Sequence, residues 1–562
     1  MKKIICLIIL IGCGLTANAQ PKSKPNKCVF TLKTFDAVGT MIASSYGFFC
    51  GKNGEAVSNM SAFEGAAKAT VIDGEGKERT VNCILGANRT YDIVKFKVDD
   101  KGLKSYLPVT NEPPSEGQKV WIVPYSFKKQ PQMIPATITN GEAIQDNRYW
   151  YYTLLMEKRP ENVLSCPVVT EDGNVIGLFQ PSSQNKDDVG FAVSAAFAND
   201  LKTTGLSIND AALKSTSIKK ALPDNKDQAV LALYIAGSTL DSTRTATYTE
   251  MVEDFIAKFP TASDGYISRA QLAIVRRDYA SADKDMKTAL DVADKKEEVH
   301  YNLAKMIIQK ELTDPSATFS SWTLDRAADE AAAAYACSPA AIYRDIQASV
   351  RTQQKRYHDA YTIYRQMMDS GEATAETFLN ASRCKEILGD TVAAIALLDS
   401  AILTFSQPYL KVAAPYFIAR AMLLTKAGRY RQAFNDFNEY ERLMPTEVND
   451  YFYYIRSQAC IGGKMYQPAL NDLATAISKS PSNPLYYAEK ASLEIQVNLL
   501  DDAVQTASQC IAVDPENSDG YLFLGLALCL QGKKSEGRKN LEKAKSLGDT
   551  QAETLIRKYG TD

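Results

Sequence analysis

From about residue 229 onward, residue size recurs with a period near 34, in units starting at 229, 263, 297, 341, 375, 414, 450, 484 and 518. Position 8 is small in every unit: Ala236, Ala270, Ala304, Ala348, Ser382, Ala421, Ser457, Ala491 and Gly525. Position 20 is small in seven: Ala282, Ala360, Ala394, Ala433, Ala469, Ala503 and Gly537. Position 32 is proline in four: Pro260, Pro445, Pro481 and Pro515. Large residues fall at or beside position 4, as with Tyr266, Phe378, Phe417, Tyr453, Tyr487 and Tyr521. A size pattern kept in frame this long constrains the fold more than any local motif. Each unit reads as two amphipathic helices. Small residues at 8 and 20 let the two approach closely, large residues at 4 and 24 fill the remaining space, and proline ends the second helix. The third unit carries about ten extra residues (Leu312–Thr323, with Pro315 and Trp322), and the fifth about five near Ser406–Lys411. Insertions of this kind map to loops. Thr550–Tyr559 reads as a capping helix with Ile556 and Tyr559 turned inward.

This pattern resembles the tetratricopeptide repeat (TPR) family. The resemblance implies an all-α right-handed superhelix whose concave face holds protein or peptide partners. Trp322 is either an exposed contact residue or a side chain folded back onto its own repeat. His300 and His358 lack metal-ligand spacing and read as structural or surface residues. The aromatic stripes read mostly as repeat core, with some tyrosines lining the groove.

Residues 26–205 have a different period. Short β-branched and aromatic runs alternate with Gly, Asp and Asn turns. Six candidate strands are Cys28–Phe35, Gly39–Cys50, Glu55–Asn59, Ala67–Ile72, Thr80–Leu85 and Ile93–Val98. Six more are Lys119–Tyr125, Met133–Asn140, Tyr149–Met156, Ser165–Val169, Asn174–Phe179 and Gly190–Val193. Two sets of six, split by the loop Leu107–Gln118 with its Pro113-Pro114, predict an all-β double barrel. Residues 206–227 are polar, with Pro223, and read as a linker with a short helix at Asp210–Lys214. The expected organisation is a barrel domain (26–205), a linker (206–227) and a repeat array of about nine helix pairs plus a cap (228–562).

Within the barrel region, Asn162–Gly177 reads NVLSCPVVTEDGNVIG. Its tail resembles the strand–turn–strand after the nucleophile in trypsin-like serine peptidases of the bacterial Htr type, where the preceding residues read G-N-S-G-G-P. Setting Pro167 on that proline puts Leu164 at the serine, with Ser165 and Cys166 at two glycines. Gly47-Phe48-Phe49-Cys50 through Ser58-Asn59 resembles the strand pair leading to the catalytic histidine, and in Ser58-Asn59-Met60-Ser61 the histidine position is Ser61. Tyr91–Val98 resembles the segment carrying the catalytic aspartate, here Asp92. Val189–Val193 resembles the last strand before a C-terminal helix. The resemblance covers about 180 residues. It implies a trypsin-like double barrel with degenerate triad positions Ser61, Asp92 and Leu164.

A serine peptidase needs a base within reach of its hydroxyl and an acid to orient that base. A serine hydroxyl at position 61 accepts no proton at neutral pH. The chain has two histidines, His300 and His358, and both lie beyond the barrel region. No Ser-His or Cys-His arrangement can be built inside it. The oxyanion turn is also expected to suffer, because side chains at Val163-Leu164-Ser165 resist a turn that glycine permits. Ser165 or Cys166 acting as a shifted nucleophile with a lysine base is the alternative; ordinary strand residues is the plainer reading. Asp92 reads as a strand-start carboxylate making local hydrogen bonds.

Formal net charge is −2, which gives no basis for nucleic-acid binding. Residues 1–19 read as a signal peptide: Lys2 and Lys3, the apolar run Ile4–Ile11, then Ala17-Asn18-Ala19 before Gln20. The alternative is a lipoprotein box, Leu10-Ile11-Gly12-Cys13, lipidated at Cys13. No later apolar run is long enough to span a bilayer. Export to the periplasm or cell envelope of a bacterium follows as an expectation. Nine cysteines lie beyond the signal and no CxxC occurs, so zinc and thioredoxin-like chemistry are not expected; no cofactor is expected either. A Cys50–Cys83 disulfide is left open. The leading expectation is an exported, non-catalytic scaffold that binds protein partners. The alternatives are an active peptidase whose repeats recruit substrate, and a structural subunit of an envelope complex.

Overall fold

The computed structural model describes residues 25–113, 115–127, 132–180, 188–241 and 244–560. The expected signal peptide (1–19), its alternative lipidation site Cys13, and Pro114 lie outside them. Two compact units divide between Val292 and Ala293.

In the first unit, twelve strands form two closed antiparallel barrels. β1 (Val29–Phe35), β2 (Met41–Phe49), β3 (Glu55–Ser58), β4 (Lys68–Ile72), β5 (Glu78–Asn88) and β6 (Ile93–Val98) close in the order β1-β2-β3-β6-β5-β4. β7 (Lys119–Ile122), β8 (Ile134–Ile144), β9 (Tyr149–Leu155), β10 (Pro167–Val169), β11 (Val175–Gln180) and β12 (Val189–Ser194) close as β10-β11-β12-β9-β8-β7. Alternation does the sorting: in β1, Phe30, Leu32 and Thr34 are buried and the intervening Thr31 and Lys33 are partly exposed. Phe30 packs on Phe49 and Phe96 at 4.9 and 6.0 Å between ring centroids. That packing dictates Gly47, where a Cβ would lie 2.6 Å from the Phe30 ring and 2.3 Å from the Val57 carbonyl oxygen. A shared core then joins the barrels, with Val29, Phe48, Val57 and Ile93 of the first packed among residues of the second. β8 runs past the expected end at Asn140 to Ile144, through Gly141.

The segment read as a linker is built into the first barrel. Its short helix α2 (Ala211–Lys214), which follows α1 (Phe197–Asp200), is capped by Asp210, as the sequence indicated. Ala212, Leu213 and Ile218 enter the first barrel's core. β5 is bulged against β6 on either side of Ile84, which itself pairs with Phe96, while β4 pairs β5 only from Glu78 to Thr80, so the other side of Ile84 lies beyond that ladder. The segment pairs with it there: the Ile84 N–H donates to the Lys219 carbonyl at 2.8 Å, and the Ala221 N–H donates to the Ile84 carbonyl at 2.8 Å. Overall polarity hid these few apolar residues. Two helix pairs complete this unit, α3 (Lys226–Ser238) with α4 (Thr245–Lys258) and α5 (Ser263–Val275) with α6 (Tyr279–Val292). The compact division therefore falls inside the repeat array and not at its start.

The second unit holds seven more pairs and a cap. They are α7 (Lys296–Thr313) with α8 (Leu324–Cys337), α9 (Ala341–Gln353) with α10 (Tyr357–Asp369), and α11 (Ala375–Ile387) with α12 (Thr391–Leu403). Next come α13 (Ala414–Lys426) with α14 (Tyr430–Leu443), α15 (Asp450–Gly462) with α16 (Tyr466–Lys479), and α17 (Pro484–Gln496) with α18 (Leu500–Val513). Last are α19 (Ser518–Leu530) with α20 (Lys534–Ser546) and the cap α21 (Ala552–Tyr559). Positions 8 and 20 meet as their sizes require. The Ser382 hydroxyl donates to the Ala394 carbonyl at 2.8 Å. A Cβ on Gly525 would lie 2.8 Å from the Gly537 carbonyl oxygen. Trp322 is 1% exposed and meets Phe319 edge-on, so it is folded inward. The Nδ1 atom of His300 lies 2.6 Å from Glu330, and His358 is exposed on α10.

A charged ladder accompanies the size pattern. Arginine at position 7 of the first helix forks onto aspartate at position 23 of the second, as in Arg269–Asp285, Arg420–Asp436 and Arg456–Asp472. The same guanidinium reaches back to the preceding repeat, at Glu253, Asp399 and Asn438 respectively. Desolvation pushes the Asp472 carboxyl upward, against the pull of Arg456, so the pair depends on both partners. Arg456→Ala leaves Asp472 buried and unpaired and is expected to destabilise the second unit by about 3–5 kcal/mol. The double variant Arg456→Met/Asp472→Leu should cost about 1 kcal/mol or less. Urea unfolding of the three proteins checks this; equal costs for the single and double variants would refute it.

Candidate functional site

The three positions that the resemblance aligns with a catalytic triad, Ser61, Asp92 and Leu164, come from both barrels. In the ladder of β3 with β6, Glu55 faces Lys97 and Ser58 faces Val94, so the next steps bring the residues after Asn59 to Asp92. A short helical turn, Met60–Phe63, then sets Ser61 on that carboxylate. The Ser61 N–H donates to Asp92 Oδ1 at 2.6 Å and its hydroxyl donates to Oδ2 at 2.8 Å. Asp92 sits at φ +51, a left-handed conformation that a short polar side chain tolerates. Ser61 is exposed, and Asp92 and Leu164 are half-buried.

Beneath them lies a residue that the sequence reading did not single out, Asn59. Its Oδ1 accepts the hydroxyls of Ser45 and, across the barrel boundary, Ser165 at 3.2 Å. Its Nδ2 donates to Ser61 Oγ at 2.8 Å. Ser58 gives its proton to the Tyr46 carbonyl at 2.6 Å. The Ser58 hydroxyl also lies 3.2 Å from Asn59 Oδ1, but its proton has the shorter bond to Tyr46, which leaves the two lone pairs of the amide oxygen to Ser45 and Ser165. The donors therefore run in one direction, Ser165 to Asn59 to Ser61 to Asp92. Four residues of the cluster are almost fully enclosed, with Ser45, Ser58, Asn59 and Ser165 all under 5% exposed. A polar residue just past β3, beside a serine-rich β2, was the signal for it.

The turn at Leu164 survives without glycine. The Cys166 N–H donates to the Val163 carbonyl at 3.0 Å, and Ser165 takes φ +63, with Asn162 at φ +57. The sequence led us to expect that side chains would resist this turn; Ser165 adopts it, at a cost of about 1–2 kcal/mol. The Ser165 N–H is held by the Phe179 carbonyl at 2.8 Å. Cys166 is buried, and burial pushes its thiol up to about 12. Burial, countered in part by Lys95, does the same to Cys50. All nine described cysteines are free, so Cys50 and Cys83 are unlinked. Burial lowers the Lys220 ammonium to about 8, but its Nζ is bonded to the Thr216 carbonyl on the first barrel. Among the described residues, no lysine is hydrogen-bonded to Ser165 or Cys166. No group of three or more His, Cys, Asp or Glu among them could hold a metal. No helix of the described residues is long and apolar enough to cross a membrane.

Comparison with known proteins gives the following. No family model matches the chain. It is 32% identical over 106 residues to the small glutamine-rich tetratricopeptide repeat-containing protein 2 of Saccharomyces cerevisiae, a match covering 19% of this chain and 31% of that protein. The chain thus spans about a third of that relative's length. Among solved structures it is similar to the serine endoprotease from Yersinia pestis, at 16% identity over 31% of this chain and 61% of that one, with a TM-score of 0.27. It is also similar to YrrB, a TPR protein with an unusual peptide-binding site, at 16% identity over 35% of this chain and 97% of that one, with a TM-score of 0.30. The chain joins two closed six-stranded antiparallel barrels to an array of helix pairs.

Asn59→Ala orphans the buried hydroxyls of Ser45 and Ser165 and is expected to destabilise the barrels by about 2–4 kcal/mol. Ser165→Gly should be nearly neutral, because relief of the positive φ offsets the lost bond at about 1 kcal/mol each. Amide hydrogen exchange in β3 and β10 measures both; a Ser165→Gly cost as large as that of Asn59→Ala would contradict the accounting.

The raised thiols make a second prediction. The native fold favours the neutral thiol, so Cys50 and Cys166 should resist iodoacetamide at pH 8 while exposed Cys337 reacts. Because the folded values lie near 12 and the ordinary value is 9.0, stability is fully present below pH 9 and falls as pH rises towards 12. Mass mapping of alkylated peptides across pH checks both statements.

Proposed function

We propose that this chain is an exported, non-catalytic interaction protein of the bacterial cell envelope, and that its helix array binds a protein partner. The observation carrying the first part is the direction of the Asn59 network. The Ser165 proton is given to a neutral amide oxygen, which is too weak a base to take it at neutral pH. Asp92, the titratable acceptor in the cluster, is already occupied by the Ser61 N–H and hydroxyl. Ser61 takes the base position and Leu164 the nucleophile position of the family that the barrels resemble. Support for a protein partner comes from the TPR-like helix pairs and from the repeat protein that the chain resembles in sequence.

The expected outcome with a fluorophosphonate probe is no labelling, and with casein no cleavage. Labelling that disappears in Ser165→Ala would overturn the reading and favour an active peptidase. For the array, cross-linking of the full chain in native envelope should place partner cross-links on α7–α20. Cross-links confined to the barrels would refute that part. Maturation is checked by the N-terminal mass, expected to begin at Gln20; a lipid-modified Cys13 would replace cleavage after Ala19.

A further inference from the structure

The ladder of arginines and aspartates is broken in the fourth repeat, and a cavity stands at the break. Position 7 there is Gln347 and position 23 is Ile363, where other repeats join Arg269 to Asp285, Arg420 to Asp436 and Arg456 to Asp472. Gln347 still reaches the preceding repeat, through its amide on the Ala331 carbonyl at 3.4 Å. The space left measures about 130 Å³ and is lined by Ala328 and Ala332 of α8, Gln347 and Arg351 of α9, and Ile363 of α10. It is well above the roughly 30 Å³ that one water fills, so it has room for a group of several heavy atoms.

Arg351 lies one helical turn beyond position 7 and brings the charge. It is half-buried, and its guanidinium donates to Gln354 Oε1 at 2.8 Å; among the described residues it has no carboxylate partner. Asp325 of α8 accepts the Gln354 amide instead, at 2.8 Å. The complete rungs show what this place between successive second helices accepts. In each, a guanidinium is forked by a carboxylate, with bonds of 2.7 to 2.9 Å. The planar guanidinium fork matches the two oxygens of a carboxylate. The apolar sides from Ala328, Ala332 and Ile363 suit a short methylene stem and supply no anion of their own.

We propose that this cavity receives an aspartate or glutamate side chain of a protein partner, its carboxylate on Arg351 and its stem against Ala332 and Ile363, so that the partner completes the missing rung. The inference rests on the reading that the helix array binds a protein partner, and it names one contact of that partner.

The test uses the full chain carrying 13C-labelled isoleucine and alanine methyl groups. The probe is Nα-acetyl-aspartate methylamide, and its asparagine counterpart is the neutral control. The Ile363 and Ala332 signals should shift saturably with the aspartate, and the asparagine should bind about tenfold more weakly. Arg351→Gln should weaken binding of the aspartate about tenfold as well. Gln347→Arg/Ile363→Asp installs the pair found in the complete rungs and should abolish the Ala332 response by filling the cavity. The remaining methyl signals report that each variant is folded. Unmoved Ile363 and Ala332 signals, equal response to the asparagine, undiminished binding by Arg351→Gln, or a retained response in the double variant would overturn the proposal. A photo-cross-linker at exposed Ala332, used on the full chain in native envelope, then tests the source. A cross-link that maps beside an aspartate or glutamate of the partner and is lost in Arg351→Gln supports it. A cross-link that Arg351→Gln leaves unchanged overturns it and leaves the general reading of the array standing. Cross-links absent from the whole array refute that reading, and with it the protein source, whatever the aspartate does.

Discussion

A hydroxyl removed from water must find an acceptor, and at the boundary of the two barrels that requirement falls on Asn59. The barrels share an apolar core, but apolar contact does not fix their register. Directional bonds do that. Ser165 reaches Asn59, the Gln180 side chain donates to the Tyr91 carbonyl at 3.0 Å, and the Tyr125 hydroxyl reaches the Asp73 carbonyl. Ser165 holds a positive φ to make its bond, and the bond offsets about as much as the conformation costs. The cluster is thus balanced as a joint. Its geometry gives each of its hydroxyl donors an acceptor.

The helix array solves a related problem with charge. Small residues at positions 8 and 20 fix how closely the two helices of a repeat approach, but smooth faces leave sliding unopposed. Position 7 opposes it. In Arg269, Arg420 and Arg456 one guanidinium contacts its own second helix and the second helix before it. Where arginine is absent, a different polar group does similar work: Lys490 bonds Thr506, and the Gln347 side chain bonds the Ala331 carbonyl of the preceding helix. A buried ion pair adds little net stability over an apolar pair. Its geometry, however, is satisfied in only one stacking register, which a set of interchangeable Ala and Leu contacts would not select.

These two joints differ in how legible they were. Periods of 2 and about 34 carried the strand and helix assignments, because burial on one face repeats at those intervals whatever the partner. The positions Ser61, Asp92 and Leu164 were legible by alignment to a resemblance, and the structure brings Ser61 onto Asp92. Asn59 was not, because its importance lies in a contact 106 residues away. The Arg–Asp ladder was legible in principle, since the partners stand 16 residues apart in the same frame. It went unread because size and not charge was followed along the repeat. The segment 206–227 misled through composition: its polarity masked Ala212, Leu213 and Ile218, which carry the packing, and Thr216, which is buried against Ala66.

That segment also explains where the first compact unit ends. The β4–β5 ladder stops at Thr80, and further along β5 the Ile84 N–H and carbonyl are paired instead with Lys219 and Ala221. The same stretch then meets the helices that follow. Lys219 pairs with Asp254, and Lys258 bonds the Leu222 carbonyl at 3.0 Å and Asp224 at 2.7 Å. Gly205 lies so close to α3 that a Cβ would sit 2.9 Å from the Gln228 carbonyl oxygen. The edge of β5 left open beyond Thr80 is therefore the start of a chain of contacts that carries α3 and α4 with the barrel. An open strand edge leaves backbone donors and acceptors to be satisfied, and another part of the chain can satisfy them. Here that part is the connection itself, so the barrel is not finished at residue 205 but some 16 residues later, at Ala221.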